Sequence, residues 1–290
     1  MDIKQTVTNT IIDMLEQGGL QSRPFWNQAS AIGLPCNGKT GAPYSGVNIL
    51  ILWACALKRC YSSPVWLTYK QAHDLGGQVR AGEKSVMCVY FEMVKAKNQT
   101  TGDDDSFYPM CKPFWLFNVA QIDGLPSALI PSQSCPFQPI NEAQQFLDHC
   151  GADIRHGFDK ACYVPAKDHI LLPFQDAFAC PENYYATALH ELTHWTGHHS
   201  RLNRDFNNRF GSEGYALEEL IAEIGSAFIC AHLGFVKATI EDHASYVENW
   251  LRVLRNDKNA IFTASKQASL AFDLIVETVT LNSSAAETIP

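Results

Sequence analysis

Apolar residues recur every three or four positions along several stretches of the chain, and this spacing predicts amphipathic helices. The first such helix covers residues 2–18 and ends at the pair Gly18-Gly19. We predict further helices over these ranges: 47–60, 66–75, 141–152, 180–199 and 215–234.

Three runs rich in β-branched and aromatic residues predict strands instead, and they cover residues 84–94, 111–122 and 168–174. The polar stretch 97–106 predicts a turn or hairpin tip between the first two strands. The proline-bearing stretch 123–139 is the best candidate for a linker.

The length and composition fit this pattern of elements. The chain has 290 residues, of which 46% are hydrophobic, so it is globular and long enough for two domains. We predict an α+β fold with one domain over residues 1–130. The second domain, residues 131–290, is predicted to be mainly helical with a small sheet.

Charge is distributed unevenly between these halves. Residues 1–130 carry 11 Lys and Arg against 10 Asp and Glu, whereas residues 131–290 carry 11 against 20. Within residues 38–97 the count is 8 basic to 3 acidic, with several aromatic residues between the basic ones. Basic and aromatic residues together favour single-stranded nucleic acid, although an ordinary aromatic core with a charged surface gives the same counts.

The ten cysteines include no C-x-x-C pair, which argues against a zinc ribbon or a thioredoxin-like site. The N-terminal helix lacks the features of a signal peptide. The longest apolar run, residues 47–57, is too short to cross a bilayer. We therefore expect reduced thiols in a cytoplasmic protein that does not bind membranes.

Residues 33–40, GLPCNGKT, match the phosphate-binding pattern G-x-x-x-x-G-K-[ST]. That pattern requires a strand before it and a helix that begins at the Lys-Thr pair. The preceding residues do not form a clear strand pattern, and Pro43 and Gly46 oppose an immediate helix. The match therefore does not predict a nucleotide hydrolase.

The strongest chemical signal is the H-E-x-x-H sequence formed by His190, Glu191 and His194. Residues four apart share one face of a helix, so both imidazoles can reach one metal ion. Glu191 then lies beside the open coordination position, where it can act as general base towards a water molecule.

A third ligand is suggested by E-x-x-A-E at residues 219–223, which resembles the E-x-x-A-D segment of Glu-type zinc metallopeptidases, the gluzincins. The resemblance implies that Glu219 binds the metal and that Glu223 holds a ligating histidine from behind. Glu223 stands where that family has Asp. Glu218 is the competing ligand, about 100° around the helix from Glu219.

Further candidate residues lie near this motif. His198 and His199 follow the motif closely, and we interpret them as loop histidines. Residues 168–174 could form the edge strand along which a peptide substrate aligns. Three tyrosines could stabilise an oxyanion, and the sequence does not choose among them: Tyr184, Tyr185 and Tyr215.

Five motifs together resemble the plasmid antirestriction proteins of the ArdC type. In the N-terminal half they are P-x-N-x-x-T-G-x-x-Y-x-G-x-N at 35–48, W-x-T-x-x-Q at 66–71 and G-x-V-x-x-G-E-K-S at 77–85. In the C-terminal half they are HELTHWTGH-x-x-R-L at 190–202 and EELIAE at 218–223. The resemblance covers nearly the whole chain in the same order.

This resemblance implies an α+β domain that binds single-stranded DNA, joined to a zincin-like metallopeptidase domain. The implied metal is Zn²⁺, with Mn²⁺ as the alternative, and the implied role is protection of incoming plasmid DNA from host restriction. An unidentified protein, such as a host restriction component, would be the substrate. The candidates for the DNA surface are the following: Lys39, Tyr44, Asn48, Trp66 and Lys84.

Two other functions stay open at this stage. A non-catalytic protein could shield DNA, or its acidic C-terminal half could mimic DNA, with the metal in a structural site. A nuclease is a weaker alternative, because the sequence shows no cluster of carboxylates for two metal ions.

Overall fold

The computed structural model describes residues 2–17, 25–95, 107–126, 129, 139–178, 181–206, 212–234 and 243–287. In these ranges the α-helices are α1 (Ile3–Gln17), α2 (Phe25–Ala29), α3 (Val47–Lys58), α4 (Tyr69–Asp74), α5 (Pro139–His149), α6 (Pro181–Trp195), α7 (Glu213–His232), α8 (His243–Asn256) and α9 (Ala260–Glu287). The strands are β1 (Cys36–Asn37), β2 (Val65–Leu67), β3 (Gln78–Val79), β4 (Val86–Lys95), β5 (Phe107–Asn118), β6 (Ile122–Asp123), β7 (Asp153–His156), β8 (Cys162–Val164) and β9 (His169–Leu172). The α+β class is confirmed.

A four-stranded sheet organises the N-terminal half in the order β1-β2-β5-β4. Its main part is the antiparallel pair β4–β5, which runs in register from Val86 opposite Leu116 to Lys95 opposite Phe107. The predicted hairpin tip, residues 97–106, lies outside the described residues. Strands β3 and β6 form a separate antiparallel pair.

A smaller sheet lies in the C-terminal half in the order β7-β9-β8, with β7 parallel and β8 antiparallel to β9. Two of its three strands were missed in the sequence, because β7 and β8 are only four and three residues long and β7 is mostly exposed. The expectation that residues 168–174 form an edge strand is wrong. The strand within that range, β9, is central, and the edge next to helix α6 belongs to β8.

The predicted helix over residues 66–75 is only partly correct. Trp66 and Leu67 belong to β2, where they pair with Asn118 and Phe117 of β5. Helix α4 begins after Thr68, whose hydroxyl accepts a hydrogen bond from the Gln71 N–H while the Gln71 side chain accepts one from the Thr68 N–H. This capping box fixes the helix start, and it leaves the two preceding apolar residues free to extend the sheet.

One hydrophobic core connects the two halves of the chain. Helix α3 is buried along most of its length, and its Trp53 ring meets the edge of Phe228 on α7 at a centroid distance of 5.6 Å. Trp26 on α2 contacts Trp250 on α8 in the same core. The domain boundary at residue 130 stays a prediction, but helices from both sides of it are packed together.

Two further observations concern the surface and the thiols. Among the described residues, no helix has the length and apolar character needed to cross a membrane. The eight cysteines in the described ranges are all free thiols, and three of them are buried.

The shared core predicts different effects of truncating two tryptophans. Replacing the buried Trp53 by alanine removes its contacts with both halves and should lower the free energy of unfolding by about 3–5 kcal/mol. The matched control is Trp115→Ala, at a site that is 53% exposed, and its effect should stay within about 0.5 kcal/mol. Urea unfolding followed by circular dichroism measures both; equal losses would contradict the shared core.

Candidate metal centre and nucleic-acid interface

Helix α6 positions the H-E-x-x-H motif inside the C-terminal half. It begins at Pro181, where the missing N–H of proline is tolerated, and it ends at Trp195. His190 and His194 lie one turn apart on the same face and are both buried. Their Nε2 atoms are 3.2 Å apart, so the two rings point towards one position.

Helix α7 brings a carboxylate to the same position. The Glu219 oxygens lie 3.5 Å from His190 Nε2 and 3.7 Å from His194 Nε2. Ligand atoms held about 2.0–2.2 Å from a tetrahedral metal ion lie roughly 3.3–3.6 Å apart, so the three donors fit a metal of that size. Within the described ranges, these three residues are the one group of potential ligands close enough to share an ion.

Each histidine has a second carboxylate behind it. Glu223 Oε2 lies 3.5 Å from His190 Nδ1, and Glu218 Oε1 lies 3.0 Å from His194 Nδ1. Glu218 therefore faces the nitrogen of His194 opposite to the one that faces Glu219. The geometry therefore gives the two neighbouring glutamates different positions: Glu219 lies among the potential metal donors, and Glu218 contacts the far side of the His194 ring.

Arg204 holds Glu218 in place, and the sequence reasoning missed this residue. Its Nε lies 2.9 Å from Glu218 Oε2, and its Nη2 lies 2.9 Å from Oε1. The same guanidinium donates to the Thr193 carbonyl and to the Thr196 hydroxyl. No motif marks Arg204, since its partners lie on two helices and are brought together only by the fold.

The electrostatics of the site reflect this concentration of buried charge. Burial opposes the charged form of His190, but the Glu219 and Glu223 carboxylates outweigh burial and raise the pKa of His190 to about 10. Burial alone would raise the pKa of Glu219, yet the two histidines lower it to about 2. Glu218 is buried as well, and His194 and Arg204 hold its pKa below the usual value.

Glu191 is buried next to the histidines and contacts the small sheet. Its Oε2 accepts a hydrogen bond of 2.7 Å from the backbone N–H of Tyr163, in the middle of β8. Because β8 pairs with β9 on its other side, its outer edge faces helix α6. The carboxylate proposed as general base is thus anchored to an edge strand.

The structure distinguishes the three tyrosines that the sequence left open. The Tyr184 hydroxyl hydrogen-bonds His156, and the Tyr185 hydroxyl donates to Gln144, so both are occupied elsewhere. Tyr215 lies one helical turn before Glu219 and hydrogen-bonds its carboxylate, which contributes to the lowered pKa of Glu219. Tyr215 is therefore the tyrosine that lies at the donor cluster.

His198 and His199 lie in the loop after α6 and not among the donors. His198 Nδ1 is 2.8 Å from the Ser200 hydroxyl, and His199 is exposed. Both line a cavity of about 420 Å³ together with Pro165, Asn203 and neighbouring residues of the loop. The placement agrees with their interpretation as loop residues.

The P-loop-like stretch folds as a tight turn. Gly41 N–H donates to the Asn37 carbonyl, and the Asn37 side chain accepts from the backbone N–H groups of Lys39 and Thr40. No helix begins at Lys39 or Thr40, since α3 starts only at Val47. The geometry differs from that of a phosphate-binding loop.

The five candidate DNA-binding residues differ in exposure. Lys39 is exposed and paired with Asp74 at 2.9 Å, and Lys84 is exposed as well. The Tyr44 ring is half-buried and stacks on Phe114. These three residues can contact a ligand at the surface, at least in part.

Asn48 and Trp66 have structural roles instead. The Asn48 side chain donates to the Val89 carbonyl and accepts from the Val89 N–H, which fixes α3 to β4. Trp66 is only 1% exposed, so its ring presents no face to a base, and its placement on the DNA surface is wrong. Trp66 lies in a short strand whose inward side faces the core.

An exposed aromatic residue on the neighbouring strand β5, Trp115, was missed, and it lies in the same half as Tyr69 of α4. Trp115 and Tyr69 are both 53% exposed, and the Tyr69 ring contacts Phe117 edge-on. Trp115 and Phe117 are two residues apart on β5 and therefore point to the same face of the sheet. Residues 114–117 are all apolar, so no polar–apolar alternation in the sequence marks Trp115 as the exposed residue.

Comparison with known proteins agrees with both halves. Residues 1–117 match the family model for the N-terminal domain of anti-restriction factor ArdC, and residues 141–267 match the model for a zincin-like metallopeptidase. A DNA primase TraC of Escherichia coli is 37% identical over 94% of this chain, which spans 27% of that protein. An uncharacterized protein y4eC of Sinorhizobium fredii is 39% identical over 94% of this chain and 91% of its own length.

Solved structures extend the similarity to the whole fold. The metal-free crystal structure of the antirestriction ArdC protein from plasmid R388 superposes with a TM-score of 0.83 and 39% identity, over 97% of this chain and 99% of that one. The Mn(II)-bound structure of the same protein gives a TM-score of 0.81 at 38% identity, over 96% and 98% of the two chains. The chain is thus a member of the ArdC family of antirestriction proteins, with an ArdC N-terminal domain and a zincin-like metallopeptidase domain.

Proposed function

We propose that this protein protects incoming plasmid DNA from restriction in the cytoplasm by binding single-stranded DNA and cleaving a nearby protein. The N-terminal part, residues 1–130, would bind the DNA, and residues 131–290 would hold the metallopeptidase site. The observation that carries the proposal is the set of two buried imidazoles and one partly buried carboxylate with Glu191 beside it.

The donor set supports a divalent transition metal. Two imidazole nitrogens and one carboxylate oxygen are the ligands typical of a catalytic Zn²⁺ site. The Mn(II)-bound relative makes Mn²⁺ the alternative. When bound, such an ion supplies Lewis-acid chemistry that activates water and polarises a carbonyl group. Three protein donors leave a coordination position open, whereas a structural site is normally closed by four.

The surrounding residues would perform the proton transfer and the positioning. Glu191 would take a proton from the attacking water and pass it to the leaving amine, and the Tyr163 N–H keeps its carboxylate oriented. Glu223 and Glu218 would hold the two histidines in the required tautomer. Tyr215 is the best placed of the three tyrosines to donate a hydrogen bond to the developing oxyanion.

The edge of β8 is the proposed position of the peptide substrate. An extended peptide can add to an exposed strand edge through main-chain hydrogen bonds. Since the Tyr163 N–H is bonded to Glu191, a peptide along this edge would pair with other backbone groups of β8, and its backbone would lie next to the proposed base. The substrate would be a protein of the host restriction machinery.

The proposed DNA surface is the aromatic row of Tyr69, Phe117 and Trp115, with Lys39, Lys70 and Lys84 as exposed cations of the same half. Exposed rings provide stacking faces for bases of any sequence, and lysines neutralise phosphates. The row supports single strands in particular, because bases in a duplex have no free faces for stacking.

Glu191→Gln tests the catalytic part of the proposal. The variant should bind metal as the wild type does, because Glu191 is not among the donors. Its hydrolysis of a peptide substrate should fall by about 10²–10⁴-fold, the usual contribution of a general base. Plasmid transfer into a restricting host, with both proteins expressed equally, measures the biological effect. Full protection by the variant would favour the binding-only alternative and reject proteolysis as the function.

Glu219→Gln tests the ligand assignment. Loss of the carboxylate should weaken Mn²⁺ or Zn²⁺ binding by more than about 100-fold. Even the loss of a residue that only hydrogen-bonds a metal ligand usually lowers metal affinity by roughly 10–100-fold. Isothermal titration calorimetry of the metal-free protein gives the dissociation constants. Near-normal affinity in this variant would exclude Glu219 as a ligand.

Trp115→Ala and Tyr69→Ala test the DNA surface. Each should reduce affinity for an oligo-dT strand by about 1–3 kcal/mol, the usual value of one stacked base. Phe174→Ala is the matched control, since Phe174 is 61% exposed but lies in the C-terminal half. Fluorescence anisotropy at several salt concentrations should also show affinity falling as salt rises. A preference for duplex, or equal losses in all three variants, would reject this surface.

A further inference from the structure

We infer that Arg204 is a positioning residue for the metal centre, acting on the ligand His194 through Glu218. The inference deepens the proposed function and rests on it, since it concerns the same metal site. The geometry is a chain of three groups: the guanidinium forks onto both oxygens of Glu218, and Glu218 accepts the Nδ1–H of His194.

The two histidines are supported unequally. His194 Nδ1 lies 3.0 Å from Glu218, whereas His190 Nδ1 lies 3.5 Å from Glu223. Both oxygens of Glu218 are engaged by Arg204, whose side chain is only 5% exposed. The fork fixes the plane of the carboxylate, and the carboxylate then fixes the ring plane and the tautomer of His194.

Arg204 also connects the two helices that supply the donors. Besides its fork on Glu218 of α7, it donates to the Thr193 carbonyl near the end of α6 and to the Thr196 hydroxyl just after it. A Cβ atom at Gly197 would come within 2.9 Å of the Arg204 guanidinium carbon and within 2.5 Å of Phe206. A side chain at 197 would therefore displace the Arg204 guanidinium or the Phe206 ring.

The geometry of the fork explains why an arginine is suited to this position. Without Arg204, the buried Glu218 would keep a single hydrogen-bond partner, His194. A carboxylate held by one partner only can rotate away from the position that the fork fixes. Such a rotation would remove the acceptor that holds the Nδ1–H of His194, so Nε2 would no longer be fixed as the metal-binding nitrogen.

The test compares metal affinity among four proteins. Arg204→Met should raise the dissociation constant for Mn²⁺ about 10–100-fold, the usual effect of losing an outer partner of a metal ligand. Glu218→Gln should cause a similar loss. The double variant Arg204→Met/Glu218→Gln removes both charges, so its loss should be smaller than the product of the two single losses.

Arg201→Met is the matched control. Arg201 lies in the same loop, pairs with Asp168, donates to the Trp195 carbonyl and stacks on the Trp195 ring, but it does not contact Glu218. This variant should bind Mn²⁺ with the affinity of the wild type. Electron paramagnetic resonance of free Mn²⁺ gives the dissociation constants, and circular dichroism of each metal-free variant verifies the fold.

A second measurement separates positioning from a general effect on structure. In the zinc-loaded wild type, ¹⁵N–¹H spectra of the imidazoles should show His194 with its proton on Nδ1, and Arg204→Met should disturb this signal while leaving His190 unchanged. Arg204→Lys, which restores the charge without the fork, should recover part of the affinity.

Two results would overturn the inference, and they differ from a failure of the metal site itself. If the folded Arg204→Met protein binds Mn²⁺ within threefold of the wild type, or if the two single losses multiply independently, Arg204 does not act through Glu218. If the wild type binds neither Mn²⁺ nor Zn²⁺, the proposed metal centre is rejected and the inference with it.

Discussion

The close approach of helices α6 and α7 is the constraint on which the site depends. A Cβ atom at Gly225 would lie 2.6 Å from Thr193 Cγ2, so the two helices touch at this point with no room for a side chain. Helical periodicity places His190 and His194 on the facing side of α6, and it places Glu219 and Glu223 one turn apart on α7. The separation of the helix axes then decides whether these groups meet. A larger residue at 225 would push the carboxylate away from both imidazoles at once.

That close approach gathers acidic groups in a region from which water is largely excluded. Four carboxylates, those of Glu191, Glu218, Glu219 and Glu223, are buried or nearly so, and Arg204 pairs with one of them, Glu218. Although burial opposes the charged form of His190, the neighbouring carboxylates raise its pKa to about 10, so His190 contributes a positive charge in the metal-free protein. A dication at this site would take the place of the proton on His190, and it would supply the positive charge that the Glu219 carboxylate requires. The site is therefore built for a net positive occupant, and its acids are stable in the interior because each faces a cation, a proton donor or a backbone N–H.

Those parts of the molecule that depend on short-range periodicity could be predicted from the sequence. Spacings of three and four residues predicted five of the helices, α1, α3, α5, α6 and α7. The same spacing predicted that the two histidines of the H-E-x-x-H motif share one helix face. The errors arose where a residue's role depends on distant partners. Trp66 has the composition of a stacking residue, but its strand pairs with β5, more than fifty residues further along, and the pairing buries the ring. Arg204 carries no motif because its partners are on two helices. The edge position of β8 depends on strand order, which three short strands do not encode locally.

The shared core has a consequence for how the two proposed activities are related. Helix α3, which follows the N-terminal turn at residues 37–42, packs through Trp53 against Phe228, and Phe228 lies on α7 little more than one turn after Glu223. Helix α7, which carries the proposed ligand Glu219, is therefore part of the same packed body as the sheet proposed to bind DNA. Separate modules on a flexible tether would bury little surface against each other. Here Trp26 and Trp53 of the N-terminal half pack against Trp250 and Phe228 of the C-terminal half. The matched region of the primase TraC covers 94% of this chain, so both halves occur together within that longer protein. A unit held together by one core can be joined to other proteins only as a whole, because either half alone would expose the apolar residues of α3 or α7 to water.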